Sequence, residues 1–182
     1  MNIFRDSYEY YPGDIPNAYD YFDGSGGNTV CGADGSGDSD CNGDGNNIID
    51  GYPTGEVIKA WQHLSLADLI KGSYVGDDGS TKVGINVPKA ILNSGYMAEA
   101  GYIFEERTNG DSTIKWGSIS GATFSNAVVS PVNAKKIDRK MDDGVASSGK
   151  VLSSRGANLA NFCQPYDLSK TNPLCIMLFI LE

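Results

Sequence analysis

Tyr11-Pro12-Gly13-Asp14-Ile15-Pro16-Asn17-Ala18 breaks the first stretch of helical periodicity in this chain of 182 residues. Ahead of it, Ile3, Phe4, Tyr8 and Tyr11 recur near helical spacing over residues 2–11. Proline lacks the amide a helix needs and glycine tolerates the reversal that follows, so Pro12-Gly13 is a stop signal. The reading is the last turns of a helix that began further upstream, a sharp turn, and then a short helix or turn over residues 14–22. The aromatics Tyr19, Tyr21 and Phe22 would pack that second piece on the core.

Working outward, residues 23–51 are an almost uninterrupted Gly/Asp/Asn/Ser tract that holds Val30, Cys31 and Cys41. Such a tract buries too little apolar area to fold alone, so a long loop pinned by a disulfide is expected. Pro53-Thr54-Gly55-Glu56 then opens a core helix, with Val57, Ile58, Trp61, Leu64, Ala67, Leu69 and Ile70 on one stripe and Lys71-Gly72 closing it. Strands are expected at 83–87, 100–105, 113–116 and 123–129, with a hairpin between the run ending near Glu106 and Thr113. Ser130-Pro131 reads as N-cap and first position of another helix, carried by Ala134, Ile137 and Met141 to Gly144. Asp142 and Asp143 are then at odds with the dipole of its last turn, either as a cation or basic contact or as a solvated end balanced by Lys135, Lys136, Arg139 and Lys140. The apolar run 174–181 is too short to span a membrane as a helix and is read as a strand buried on both faces.

The bulk properties narrow the partners. A formal net charge of −9 opposes both a phosphate backbone and an anionic lipid surface, so neither nucleic acid nor electrostatic membrane docking is expected. The 4 cysteines fall into two local pairs, Cys31 with Cys41 and Cys163 with Cys175, although three connectivities are open. Disulfides persist in an oxidising compartment such as the periplasm or cell surface. Neither an export signal nor an apolar span of about 20 residues is seen, and an exported chain without them is expected to have lost an upstream segment, with Met1 an added start.

Catalytic patterns are weak. A nucleophilic triad needs a base beside a serine or cysteine, and His63, the 1 histidine, lies between Trp61 and Leu64 on the core helix, where a satisfied buried polar group is expected. Gly24-Ser25-Gly26-Gly27 lacks the lysine and following helix of a phosphate loop. The inorganic candidate is calcium: Asp38, Asp40, Asn42 and Asp44 place oxygens at alternate positions, with glycines for a tight wrap. Neither EF-hand register closes. Counting from Asp40 puts Asn47 at the apolar eighth position and Gly51 at the twelfth; counting from Asp38 puts Ile49 at the twelfth. Asp50 or Glu56 would have to complete a non-standard shell; the alternative is a plain solvated turn.

Three stretches in this order resemble the prepilin-type proteins of type IV pili and type II secretion pseudopili. They are Tyr11-Pro12-Gly13-Asp14-Ile15-Pro16-Asn17-Ala18, then Trp61-Gln62-His63-Leu64 with Ala67 and Leu69-Ile70-Lys71-Gly72, then Ile137-Asp138 with Lys140-Met141-Asp142-Asp143-Gly144 and Ser148-Gly149-Lys150-Val151. The pair Cys163 and Cys175 matches the disulfide-closed C-terminal region of type IV pilins. The resemblance implies an α+β fold: one pilin-like head over residues 1–182, in which the end of an N-terminal helix (1–11) packs on an antiparallel sheet, with additional helices and long disulfide-pinned loops (23–51 and 163–182). It implies a structural subunit, not an enzyme, trimmed by prepilin peptidase, anchored in the inner membrane before assembly, and partnered by other pilin or pseudopilin subunits at the cell surface or in the periplasm. The apolar helix and cleavage site that define the family are not in this sequence. The alternative is a secreted calcium-dependent adhesion or binding module with no filament role, which would carry an ordinary cleaved signal peptide. An exported hydrolase would need a cleft of convergent titratable groups.

Overall fold

A computed structural model describes residues 2–22, 41–51, 55–76, 81–90, 100–106, 112–120, 123–156, 161 and 163–181. Contacts group the chain into two units. The first comprises Met1–Pro88 with Phe104–Ser112 and Glu182, the second Lys89–Ile103 and Thr113–Leu181. No described helix is long and apolar enough to cross a membrane.

The first unit is built from α1 (Asn2–Tyr8), α2 (Ala18–Phe22) and α3 (Glu56–Leu66). α1 buries Phe4 and leaves Ile3 exposed. It ends before the proline does its work, because Glu9 takes a left-handed φ of 65°. α3 presents Val57, Ile58, Ala60, Trp61 and Leu64 to the core at helical spacing. It stops at Leu66, short of the expected Lys71-Gly72: Asp68 turns left-handed at φ 56°, and Leu69 and Ile70 both bond back to Leu64 O, which leaves Leu69 exposed. The expected strand at 83–87 is a turn with a single bridge from Val83 to Val87. Lys82 O accepts from Ile85, Asn86 and Val87, while Lys82 N donates to Asn86 Oδ1, so the segment satisfies its backbone locally.

The sheet carries β1 (Ala100–Glu106), β2 (Ser112–Ser120), β3 (Thr123–Asn126), β4 (Val151–Arg155) and β5 (Cys175–Ile180) in the order β1-β2-β5-β4, with β3 on β2. The fold is α+β with an antiparallel sheet. β5 pairs antiparallel with β2 on one side, Thr113 opposite Ile180, and with β4 on the other, Val151 opposite Phe179. A strand with neighbours on both edges is shielded, as its apolar run demands. Only Cys175, Ile176 and Met177 are fully buried, however, and Leu178 to Leu181 are half-buried, so the expectation of burial on both faces holds for the first half alone. β1 and β2 are neighbours, as the expected hairpin requires, and its turn lies outside the described residues.

In the second unit α4 (Pro131–Met141) starts as expected, with Ser130 extended and its hydroxyl accepting from Asn133 N, and with Pro131 buried. Ala134 faces a core of Val128, Val129, Val151, Cys163, Cys175 and Met177. Cys163 and Cys175 are disulfide-bonded, which closes this core.

Candidate functional site

The Pro12–Gly13–Asp14 turn is buried, and its geometry organises the first unit. Gly13 has φ +93°, and a Cβ there would meet Glu56 O at 2.4 Å and Ala60 N at 3.0 Å. The turn therefore lies directly against the backbone of α3, at a distance only glycine allows. From the other side Gly43 closes on it: Gly43 N donates to Ile15 O at 2.8 Å, and a Cβ at Gly43 would meet Asp14 Cα and Gly13 O at 2.4 Å.

His63 fastens this layering. Gly13 N donates to His63 Nδ1 at 2.8 Å, and His63 Nε2 lies 2.8 Å from Cys41 O. Because Nδ1 accepts, the ring proton sits on Nε2 and is donated to the carbonyl. Both nitrogens are used by the backbone of two different segments, so the satisfied buried histidine expected from the sequence is what forms. Burial pushes its pKa down to about 4, against the Cys41 carbonyl and with a further push from Lys59. Phe4 stacks over the same ring at 6.4 Å and Phe22 tilts against it at 5.3 Å.

Below the turn, one carboxylate oxygen from each of Asp14, Asp44 and Glu56 lies within 4.8 Å of the other two. Asp14 arrives from the turn, Asp44 from the Gly-rich loop and Glu56 from the first residue of α3. Asp14 Oδ2 accepts from Asn47 N at 2.9 Å, and Glu56 accepts from Asp44 N at 2.8 Å and Asp50 N at 3.3 Å. Asp44 in turn accepts from Asn46 N and its side-chain amide, at 2.9 and 3.0 Å. Asp14 Oδ1 is buried and has no hydrogen-bond partner. Burial raises Glu56 to about 7 and also raises Asp14, despite the backbone hydrogen bonds both accept; their negative neighbours add to each rise.

Of the calcium ligands read from the sequence, Asp44 stands in this group and Asp38 and Asp40 lie outside the described residues. Asn42 does other work. Its Oδ1 accepts from Tyr19 N at 3.0 Å, and its carbonyl accepts from Lys59 Nζ at 2.7 Å, tying α2 and α3 to the loop. Glu56, named as a residue that could complete a shell, is in the group. Asp14 is a turn residue by its sequence pattern, and the signal for a second role is a carboxylate beside the apolar Ile15 in a segment that a proline and glycine drive inward. Cys41 is disulfide-bonded, and Cys31 lies outside the described residues.

A second acidic group, Asp138, Asp142 and Asp143, closes the end of α4. Asp138 accepts from Gly144 N at 2.9 Å and from the Tyr166 hydroxyl at 2.7 Å. Asp142 accepts from Lys150 N and Val151 N, and Asp143 from Val145 N and the Ser148 hydroxyl. The helix ends at Met141 rather than Gly144, so these aspartates cap the loop that follows. That geometry accounts for the apparent clash with the helix dipole: backbone N–H groups, not the helix carbonyls, face the charges. Beside it lies a groove of about 420 Å³ lined by Lys135, Val145, Ser147, Gln164 and Tyr166. Tyr166 is bound to Asp138, and burial pushes its pKa up.

Comparison with family models, with curated proteins and with solved structures gives no match to this chain.

Proposed function

We propose that this chain is the head of a type IV pilin-like or pseudopilin subunit, a structural protein of a surface or secretion filament. The observation that supports this reading is the clamped Pro12–Gly13–Asp14 turn, held between α3 and Gly43 and stapled by His63. A subunit that transmits load from a helical spine to a globular head needs a stiff exit from the helix, and here the exit has no room to swing. The α+β architecture and the Cys163–Cys175 closure suit the same role. Its partners would be other subunits, and its place the cell surface or periplasm, with the membrane reached only through an N-terminal helix. The test is the N-terminal sequence and intact mass of the protein isolated from its native cells. An apolar segment ahead of Ile3 that starts with a methylated residue supports the proposal; a mature start near Asn2 refutes it.

The second reading is a secreted calcium-dependent adhesion or binding module, favoured by the Asp14–Asp44–Glu56 group, in which Asp14 and Glu56 are buried and Asp44 is exposed. A mature start near Asn2 together with calcium-dependent binding to a surface would favour it.

A further inference from the structure

An acidic group at a protein surface needs no ligand, but this one holds a buried carboxylate oxygen with nothing to bond. Asp14 is 0% exposed and Glu56 is 6% exposed, and the Asp14 Oδ1 atom has no hydrogen-bond partner. An ionised carboxylate oxygen taken out of water without a partner is destabilising, and a second and third carboxylate within 4.8 Å add repulsion. The hydrogen bonds these carboxylates accept from Asp44 N, Asn46, Asn47 N and Asp50 N come from neutral backbone or amide N–H groups, which bring no positive charge to offset theirs.

We infer that Asp14, Asp44 and Glu56 form a binding site for a hard divalent cation such as calcium that locks the Pro12–Gly13–Asp14 turn to the first residue of α3. Hard cations take oxygen ligands, and calcium accepts a flexible shell of about six to eight of them at roughly 2.3–2.6 Å. Ligands on opposite sides of such an ion are about 5 Å apart, so oxygens that all lie within 4.8 Å of one another fit around it. The three side chains supply part of the shell, and because Asp44 is exposed, water has access to the rest. The same positions explain why the loop fits neither EF-hand register: two of the three carboxylates, Asp14 and Glu56, come from outside it. The inference does not depend on the filament reading, since such a cation would stiffen the turn in either proposed role.

The test is calorimetric titration of the EDTA-stripped protein with calcium at pH 7.5, paired with thermal melts. The expected result is one saturable site whose occupation raises Tm, with an affinity loss of at least about tenfold in both Asp44→Asn and Glu56→Gln. Asp44 is exposed, so Asp44→Asn keeps the core intact, and circular dichroism confirms that each variant is folded. Absence of saturable binding up to millimolar calcium overturns the inference. Binding unchanged in folded Asp44→Asn and Glu56→Gln also overturns it, because the ion would then sit elsewhere.

Discussion

Acidification should weaken the first unit through His63, by an amount the structure sets. In the fold Nδ1 accepts from Gly13 N, so a proton added there would point one N–H at another. The folded pKa is accordingly lowered to about 4 from an ordinary 6.5, burial being the main cause. The unfolded chain takes up the proton below 6.5 while the folded chain resists it. The contribution of neutral His63 is thus complete above 6.5 and is lost as pH falls toward 4. At about 1.36 kcal/mol per pH unit the full window corresponds to about 3 kcal/mol, and going from pH 7 to pH 5 removes about 2 kcal/mol. Glu56 acts in the opposite sense: its folded pKa is raised to about 7, so its contribution is present at low pH and is lost as pH rises from 4.5 through 7. Urea denaturation of wild type and His63→Gln at both pH values separates the two, because Glu56 is common to both proteins. The stability gap between them should narrow by about 2 kcal/mol at pH 5. As the chain has 1 histidine, its ring Hε1 proton gives a single NMR signal, which should hold still between pH 7 and pH 5. A gap independent of pH, or a signal titrating near 6.5, would refute the assignment.

Three other outcomes follow from particular contacts. Gly13→Ala places a Cβ 2.4 Å from Glu56 O at a φ of +93°, and should cost several kcal/mol, on the order of 3 or more, in chemical denaturation; a loss below about 1 kcal/mol would mean the turn can move off α3. Replacing both Cys163 and Cys175 by serine removes a link of separation 12 and should cost about 3 kcal/mol, with a matching fall in Tm under reducing conditions; an unchanged melt contradicts it. Tyr166→Phe leaves Asp138 Oδ2 without its 2.7 Å donor and should cost about 1–3 kcal/mol, read by urea denaturation, whereas a neutral substitution would show that water replaces the hydroxyl.

Much of the local structure was legible in the residues. Helical spacing and Pro12-Gly13 located α1 and its turn, the stripe Val57, Ile58, Trp61 and Leu64 located α3, and Ser130-Pro131 located the start of α4. These signals are readable because caps, stops and amphipathic spacing act between neighbours in sequence. α3 and α4 end earlier than their apolar patterns predict, because left-handed residues and aspartate side chains draw the chain away first. The run 83–87 looked like a strand by composition, yet Lys82 and Asn86 close it into a turn through bonds that composition does not encode.

The acidic group shows most clearly where the sequence stops being informative. Asp44 could be picked out because oxygen ligands in a Gly-rich loop form a local pattern. Its companions are set by tertiary packing: Asp14 reaches it only because Gly13 and Gly43 allow three backbones to close, and Glu56 only because α3 begins where the turn is pressed against it. Sequence alone determined the elements and their order, since these depend on neighbours along the chain. Which carboxylates meet, and which oxygen is buried without a partner, depended on close approach between distant segments, and only the tertiary structure decided that.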